Sequence, residues 1–189
     1  SEPVLDVERI NRWKNQRIDI IATDLESQAK RLGILLISGR ARFDSSSGVR
    51  LQGGEIRRIR FKHALIATGA RQHTPAVLSS GGDRGRIIDS AMALSLPDIP
   101  RQLLVHGDDF VAVELAQLYA LFGSRVHFAT SADCLLPGVD PDLAAPVQKK
   151  LAKLFEKIHY DAHIAAVTED DEGVTVAFTA DGSTASIRY

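Results

Sequence analysis

Apolar positions in the first third of the chain change from helical spacing to short runs. From about residue 6 to 31 they recur at three- and four-residue steps, which predicts one long amphipathic helix ending at Gly33. Two apolar runs, residues 34–37 and 63–68, are typical of buried strands. Turn residues at 44–48 and 53–54 separate three shorter segments, which predict a small antiparallel hairpin set: residues 41–43, 49–51 and 56–62. The arginine-rich run from Arg57 to Arg60 alternates as the solvent-exposed face of a strand in this set would.

The second half alternates strand, helix and strand signals. Residues 102–106 predict a buried parallel strand, 110–122 a helix and 125–130 a second strand, which together have the order of a right-handed βαβ crossover. A further helix is predicted from Asp140 toward residue 158, where proline follows the cap.

Turn signals divide the remaining chain. Residues 162–168, 174–178 and 185–189, separated by turns at 170–173 and 181–182, predict an antiparallel meander. A glycine- and proline-rich connection, residues 76–101, predicts the boundary between residues 1–75 and 102–189. The predicted fold is therefore α/β, with a Rossmann-like βαβ domain and a meander.

The first turn of the βαβ unit resembles a dinucleotide fingerprint with one substitution. Such turns follow G-x-G-x-x-G or A, so that phosphate oxygens can approach the backbone N–H groups at a helix N-terminus. Gly107 and Ala112 occupy the first and third positions, but Asp109 occupies the second, where a side chain blocks that approach. With Asp108, it places two carboxylates where a dinucleotide would place its phosphates, so we expect repulsion. Asp109 is also predicted to cap the helix.

The other half of the fingerprint is an acidic residue at the end of the second strand, which holds the adenosine ribose. Thr130 occupies that position, and Asp133 lies three residues later. Retained dinucleotide binding and a purely structural unit both stay open, with the structural interpretation favoured.

Composition and charge restrict the partners, the location and the chemistry that we expect of the chain. The chain has 189 residues, 44% of them hydrophobic and 25% charged, as in an ordinary soluble globular protein. A net charge of −1 argues against nucleic acid, and because no apolar stretch approaches the ~20 residues that span a bilayer, we expect no membrane partner and a cytoplasmic location. The single cysteine, Cys134, excludes dithiol chemistry within one chain. His159 and His163 are four apart at a helix end, where we expect no metal site.

Four segments together resemble the FAD-dependent pyridine nucleotide-disulfide oxidoreductases, particularly their dihydrolipoamide dehydrogenase branch. Residues 61–70 (FKHALIATGA) resemble the family's A-T-G strand, and residues 86–94 (RIIDSAMAL) its domain crossover. Residues 104–126 are similar to its NAD fingerprint and following strand, and residues 136–142 (LPGVDPD) to the loop after it. The resemblance covers nearly the whole chain.

The resemblance implies a partial FAD domain in residues 1–75 and an incomplete NAD(P) domain in residues 102–189. The parent family moves electrons from dithiol to FAD to NAD. On this resemblance the chain begins after the FAD-binding first strand and C-x-x-x-x-C pair, ends before the last strand of the NAD domain, and carries no catalytic residue. We therefore expect it to be inactive by itself, to bind neither cofactor tightly alone, and to partner the rest of its parent chain or a second copy.

The resemblance also assigns site residues. It places Glu114 near the nicotinamide, although an exposed helix position is an equally good interpretation. Gly39, Thr68 and Gly69 match positions that line the flavin site, but a strand end and two turn glycines explain them without a ligand. A degenerate, non-catalytic scaffold or interaction module remains the alternative to an oxidoreductase.

Overall fold

A computed structural model describes residues 5–53, 56–79, 84–180 and 183–189. The predicted turns at Gly54 and at residues 181–182 lie outside this part of the chain. The structure divides into two compact units, one of residues 8–71 and one of residues 72–189 together with residues 5–7.

The first unit contains a long helix and a three-stranded antiparallel sheet. Its elements are α1 (Val7–Arg31), β1 (Arg40–Ser45), β2 (Gly48–Gln52) and β3 (Arg58–Arg60). The predicted long helix is therefore confirmed. The strand order is β1-β2-β3, which also confirms the hairpin set.

Two predicted strands of this unit are wrong. Residues 34–37 and 63–68 adopt no strand, and most of their apolar side chains are solvent-exposed: Leu35 is 74% exposed and Leu65 is 93% exposed. Short apolar runs predict buried strands only when a neighbouring strand supplies the hydrogen-bond ladder and a covering layer. Neither segment pairs with a strand within the described residues.

The second unit combines a parallel and an antiparallel sheet. Its elements are α2 (Ala76–Ser79), α3 (Ser90–Leu94), β4 (Gln102–His106), α4 (Phe110–Leu121), β5 (Arg125–Ala129), α5 (Pro141–Leu154), β6 (Lys157–His159), β7 (His163–Glu169), β8 (Val174–Ala180) and β9 (Ser183–Arg188). Strands β4, β5 and β6 are parallel and lie in that order, whereas β7, β8 and β9 are antiparallel.

One strand was missed by the sequence interpretation. The helix predicted toward residue 158 ends at Leu154, and residues 157–159 pair with β5 as β6, with Ala129 opposite His159. Three residues are too few to show strand periodicity, so only the neighbouring strand identifies them.

The core of the second unit lies where the two sheets meet. Buried side chains at the end of β5 and along β7 and β8 form one cluster: Ala129, Ala162, Val167, Val176, Phe178 and Ala180. On α4, the side chains of Val113, Leu115, Ala116 and Tyr119 are also buried. Strands β4 and β5 end together at the carboxyl edge of the parallel sheet. The turn between β4 and α4 lies at this edge, and burial of α4 holds it there.

Candidate functional site

The turn from β4 to α4 brings its glycine very close to the helix. A Cβ atom added at Gly107 would lie 2.6 Å from the Cβ of Ala112, which is shorter than real side chains tolerate. The Gly107 N–H also donates to the carbonyl of Ala129 at the end of β5. The small residues at the first and third fingerprint positions, Gly107 and Ala112, therefore allow the turn to pack closely against both the helix and the sheet.

Asp109 is the N-cap of α4, which confirms the predicted cap. Its backbone is extended, and its Oδ1 accepts a hydrogen bond from the N–H of Ala112 at 2.9 Å. This N–H belongs to the first turn of the helix, where an incoming phosphate would seek a donor. The helix N-terminus is thus supplied with a carboxylate of its own.

Asp108 joins this turn to the end of β5. Its Oδ1 accepts the Thr130 hydroxyl at 2.6 Å and the Ser131 N–H at 2.8 Å, and its Oδ2 accepts the Ser131 hydroxyl at 2.5 Å. The Thr130 side chain is fully buried. Sequence reasoning identified Asp108 and Thr130 as unfavourable for a nucleotide, but it did not identify their mutual hydrogen bond or the role of Ser131.

Hydrogen bonding stabilises the ionised form of Asp108. Partial burial acts to raise the pKa of this carboxyl, but hydrogen bonds from Ser131 and Thr130, helped by the charge of His106, outweigh it and lower the pKa below its usual value. Asp108 is therefore a carboxylate at neutral pH. With Asp109, it gives this end of the sheet a local negative charge.

The remaining predicted site residues are placed in different parts of the molecule. Glu114 lies on α4 and is exposed, one turn beyond Phe110. Gly39, Thr68 and Gly69 belong to the first unit. A Cβ at Gly39 would lie 3.0 Å from the carbonyl oxygen of Gln52, while Gly69 has open space around it and φ +68°, a backbone conformation that favours glycine.

A histidine pair lies on β5 and β6, and the carbonyl of His159 accepts the N–H of Thr130 at 3.0 Å. The Nδ1 of His127 is 3.2 Å from the Nε2 of His159, and their rings stack with centroids 5.5 Å apart. Phe178 and Tyr189 contact the pair edge-on. His159 is buried, whereas His163 is exposed on β7, so the partner of His159 is His127 rather than the histidine four residues later. Burial is the main cause that lowers the pKa of His127.

Comparison with known proteins identifies the family. The family model described as pyridine nucleotide-disulphide oxidoreductase matches residues 6–189. The chain therefore belongs to this family, as its motifs indicated, and its mixed α/β fold is that of the family's flavoprotein disulfide reductases.

Two curated relatives of the chain are both named dihydrolipoyl dehydrogenase. Dihydrolipoyl dehydrogenase of Geobacillus stearothermophilus is 31% identical over 184 residues, which are 97% of this chain and 38% of that protein. Dihydrolipoyl dehydrogenase of Haloferax volcanii is 31% identical over 182 residues, with 93% and 38% covered. The chain thus spans about 38% of the length of these curated relatives.

Solved structures show the same fold. LpdA of Mycobacterium tuberculosis superposes with a TM-score of 0.84 at 23% identity, covering 97% of this chain and 41% of that chain. The HOCl-induced flavoprotein disulfide reductase RclA of Escherichia coli gives a TM-score of 0.78 at 24% identity, covering 94% and 40%. In the part of the chain that the structure describes, no helix is both long and apolar enough to cross a membrane.

Proposed function

We propose that this chain is part of a dihydrolipoyl dehydrogenase-like flavoprotein oxidoreductase, in which electrons pass from a dithiol through FAD to NAD. The family match over residues 6–189 and the shared name of its relatives support this proposal. Residues 1–75 correspond to part of the FAD domain, residues 76–101 to the crossover, and residues 102–189 to an incomplete Rossmann-like NAD(P) domain with its antiparallel meander. The partner of this chain is the remainder of such a protein or a second copy.

The chain carries no dithiol of its own. Cys134 is its single cysteine. Partial burial, followed by the hydrogen bond and charge of Asp133, raises the pKa of the Cys134 thiol. Since the thiolate is the reactive form, a raised pKa makes this cysteine a poor nucleophile at neutral pH. Disulfide exchange in the whole protein therefore depends on cysteines outside this chain.

The nucleotide turn does not fit a pyrophosphate. The observation that carries this conclusion is the hydrogen bond from the Ala112 N–H to the carboxylate of Asp109. A phosphate would have to displace that carboxylate and then remain beside it and beside ionised Asp108. Two like charges about 4 Å apart repel by roughly 1–4 kcal/mol at effective dielectric constants between water and a protein surface. We therefore infer that this chain does not bind NAD tightly at Gly107–Ala112.

Calorimetric titration of the chain with NADH tests this inference. The unmodified chain is expected to show no binding at micromolar concentrations. Asp109→Gly restores the fingerprint glycine and removes one charge, so it is expected to tighten NADH binding about tenfold, which corresponds to ~1.4 kcal/mol. Micromolar binding by the unmodified chain would refute the repulsion argument.

Asp140→Gly is the matched control. Asp140 is also a helix N-cap, with its side chain accepting from the Asp142 N–H, and the substitution changes the net charge by the same amount. It leaves the β4–α4 turn intact. If both variants bind NADH alike, the gain reflects net charge rather than the fingerprint, and the proposed role of Asp109 is wrong.

The second candidate is a non-catalytic scaffold or interaction module. The hydrogen bonds from Thr130 and Ser131 to Asp108 favour it, because they give the residues after β4 and β5 a role in stabilising the fold. Absorbance spectroscopy addresses the flavin half of the question. A bound-flavin band in the purified chain would contradict our expectation that residues 1–75 hold FAD weakly by themselves.

A further inference from the structure

The three-stranded sheet of the first unit has two chemically distinct faces. Because directly opposed residues share a face, the register places Arg42 opposite Arg50, and Arg50 opposite Arg58. Arg40 lies two residues before Arg42 on β1, and Arg60 lies two residues after Arg58 on β3, so both share the face of this row. We call this face, formed by Arg40, Arg42, Arg50, Arg58 and Arg60, the arginine face.

The opposite face of the sheet is apolar. It carries side chains from all three strands: Ala41, Phe43, Val49, Leu51 and Ile59. Phe43 packs edge-on against Phe61, with ring centroids 5.9 Å apart, so the aromatic rings of this sheet lie on the apolar side. By register the arginine face presents guanidinium groups, and Phe43 also lines the depression among them.

Among the residues that the structure describes, one carboxylate lies among the five arginines. Asp44 approaches Nε of Arg58 at 3.1 Å and a terminal nitrogen of Arg50 at 3.9 Å, and its side chain is only 16% exposed. The side chains of Arg50 and Arg58 are 71% and 59% exposed. Within the residues that the structure describes, Arg40 and Arg42 have no ion-pair partner.

Such a row is unfavourable without a ligand. Like charges directly opposite each other on neighbouring strands destabilise a sheet, and two such pairs occur in succession here. Asp44 compensates only part of the charge. A depression of about 320 Å³, lined by Arg42, Asp44, Arg50, Gln52 and Phe43, lies at the centre of the row and has room for an anionic group.

We propose that the arginine face binds an acidic helix of a protein partner. Strands lie about 4.8 Å apart, so the outer arginines of a three-strand row are separated by roughly 10 Å. Carboxylates at positions i, i+4 and i+7 of a helix span about 10.5 Å along its axis, at 1.5 Å per residue. One acidic stripe can therefore place a carboxylate against each arginine, and the planar guanidinium group donates two parallel hydrogen bonds to its oxygens.

A protein partner is favoured over nucleic acid. Single-stranded nucleic acids are bound through successive aromatic side chains on which bases stack, whereas by register the five side chains of the arginine face are guanidinium groups, and the ring of Phe43 packs against Phe61. The whole chain also has a net charge of −1, which gives no long-range attraction for a polyanion. This proposal is independent of electron transfer and of the nucleotide turn.

Fluorescence anisotropy with the full chain tests the proposal. The probe is a labelled alanine-rich helical peptide with glutamates at i, i+4 and i+7, compared with a peptide of the same composition whose glutamates are distributed around the helix. The striped peptide is expected to bind about tenfold more tightly, since only it forms several charge-assisted pairs together. Raising the ionic strength from about 0.05 to about 0.5 M should weaken this binding, because the screening length shortens severalfold.

Substitutions of single arginines test whether binding of the striped peptide depends on the arginine row. Arg50→Gln is expected to weaken the striped peptide about tenfold, and Arg50→Lys by a smaller factor, because lysine keeps the charge but loses the fork. Arg42→Gln provides a second position should Arg50→Gln unfold, as judged by circular dichroism. The matched control is Arg12→Gln, an exposed arginine on α1, which should leave affinity unchanged within about twofold.

Two results would overturn the proposal. The first is equal affinity for the striped and the distributed peptide, or equal loss in Arg12→Gln and Arg50→Gln, since the contact would then depend on net charge alone. The second is binding of a single-stranded oligonucleotide as tight as that of the striped peptide with the same loss in Arg50→Gln. That result would make the face a general polyanion surface.

Discussion

Replacing Asp108 by alanine should weaken the fold more than any other single change at the β4–α4 turn. The carboxylate accepts three hydrogen bonds, from the Thr130 hydroxyl and from both the N–H and hydroxyl of Ser131. A hydrogen bond to a charged group contributes roughly 1.5–3 kcal/mol, but the three share one carboxylate and two of them come from the exposed Ser131. We therefore expect Asp108→Ala to lower the free energy of unfolding by about 2–4 kcal/mol.

Most of that loss should come from Thr130. Its side chain is fully buried, so removing Asp108 deprives its hydroxyl of the acceptor at 2.6 Å in a place that water does not reach. Urea unfolding of Asp108→Ala, Thr130→Val and the double variant measures the coupling between the two residues. We expect a coupling of about 1–2 kcal/mol, as found for neighbours in one hydrogen-bond network.

The pH dependence gives an independent signature. Because the folded-state pKa of Asp108 is lowered from its ordinary value of 3.8, its contribution to stability is present above that value and is lost as pH falls through the folded pKa. The difference between the unmodified chain and Asp108→Ala should therefore shrink in acid. Asp142→Asn, an exposed carboxyl in the first turn of α5, is the control. A loss below about 0.5 kcal/mol, or full additivity with Thr130→Val, would refute the reasoning.

Three further variants test the surrounding geometry. Gly107→Ala should cost roughly 1–3 kcal/mol in urea unfolding, because the new Cβ would meet the Ala112 Cβ at 2.6 Å; Ala112→Gly should recover part of the loss. His127→Asn should flatten the acid dependence of thermal stability. Burial lowers the pKa of His127, so its contribution is present above the ordinary value of 6.5 and is lost as pH falls below it; an unchanged profile would contradict this. Tyr189→Phe should be neutral or stabilising by about 1 kcal/mol, because burial raises the pKa of Tyr189 to about 12 and its buried hydroxyl has no hydrogen-bond partner among the described residues. A calorimetric melt checks it, and a clear loss would reveal a missed partner.

Local periodicity determined the elements that carry their own signal. The helical spacing over residues 6–31 and 110–122 was sufficient to predict α1 and α4, since an amphipathic or buried helix repeats its pattern over several turns. The cap at Asp109 could also be predicted, because its partner, the Ala112 N–H, lies only three residues away. The altered fingerprint and the family followed from the same local motifs.

Tertiary structure decided everything that depends on a second segment. Residues 34–37 and 63–68 have the composition of strands but no neighbouring strand within the described residues, whereas residues 157–159 became β6 because β5 lies beside them. The arginine row exists because register, rather than sequence proximity, brings three strands into line.

The candidate site shows the same division between sequence and structure. The sequence by itself determined that two carboxylates replace the glycine-based phosphate turn, because residue identity fixes charge and side-chain size. Only the fold decided which groups donate hydrogen bonds to Asp108. Thr130 lies 22 residues away in sequence and reaches it where β4 and β5 end together. Hydrogen bonds between distant residues require the chain to close a loop, and no local pattern records which partner it will meet.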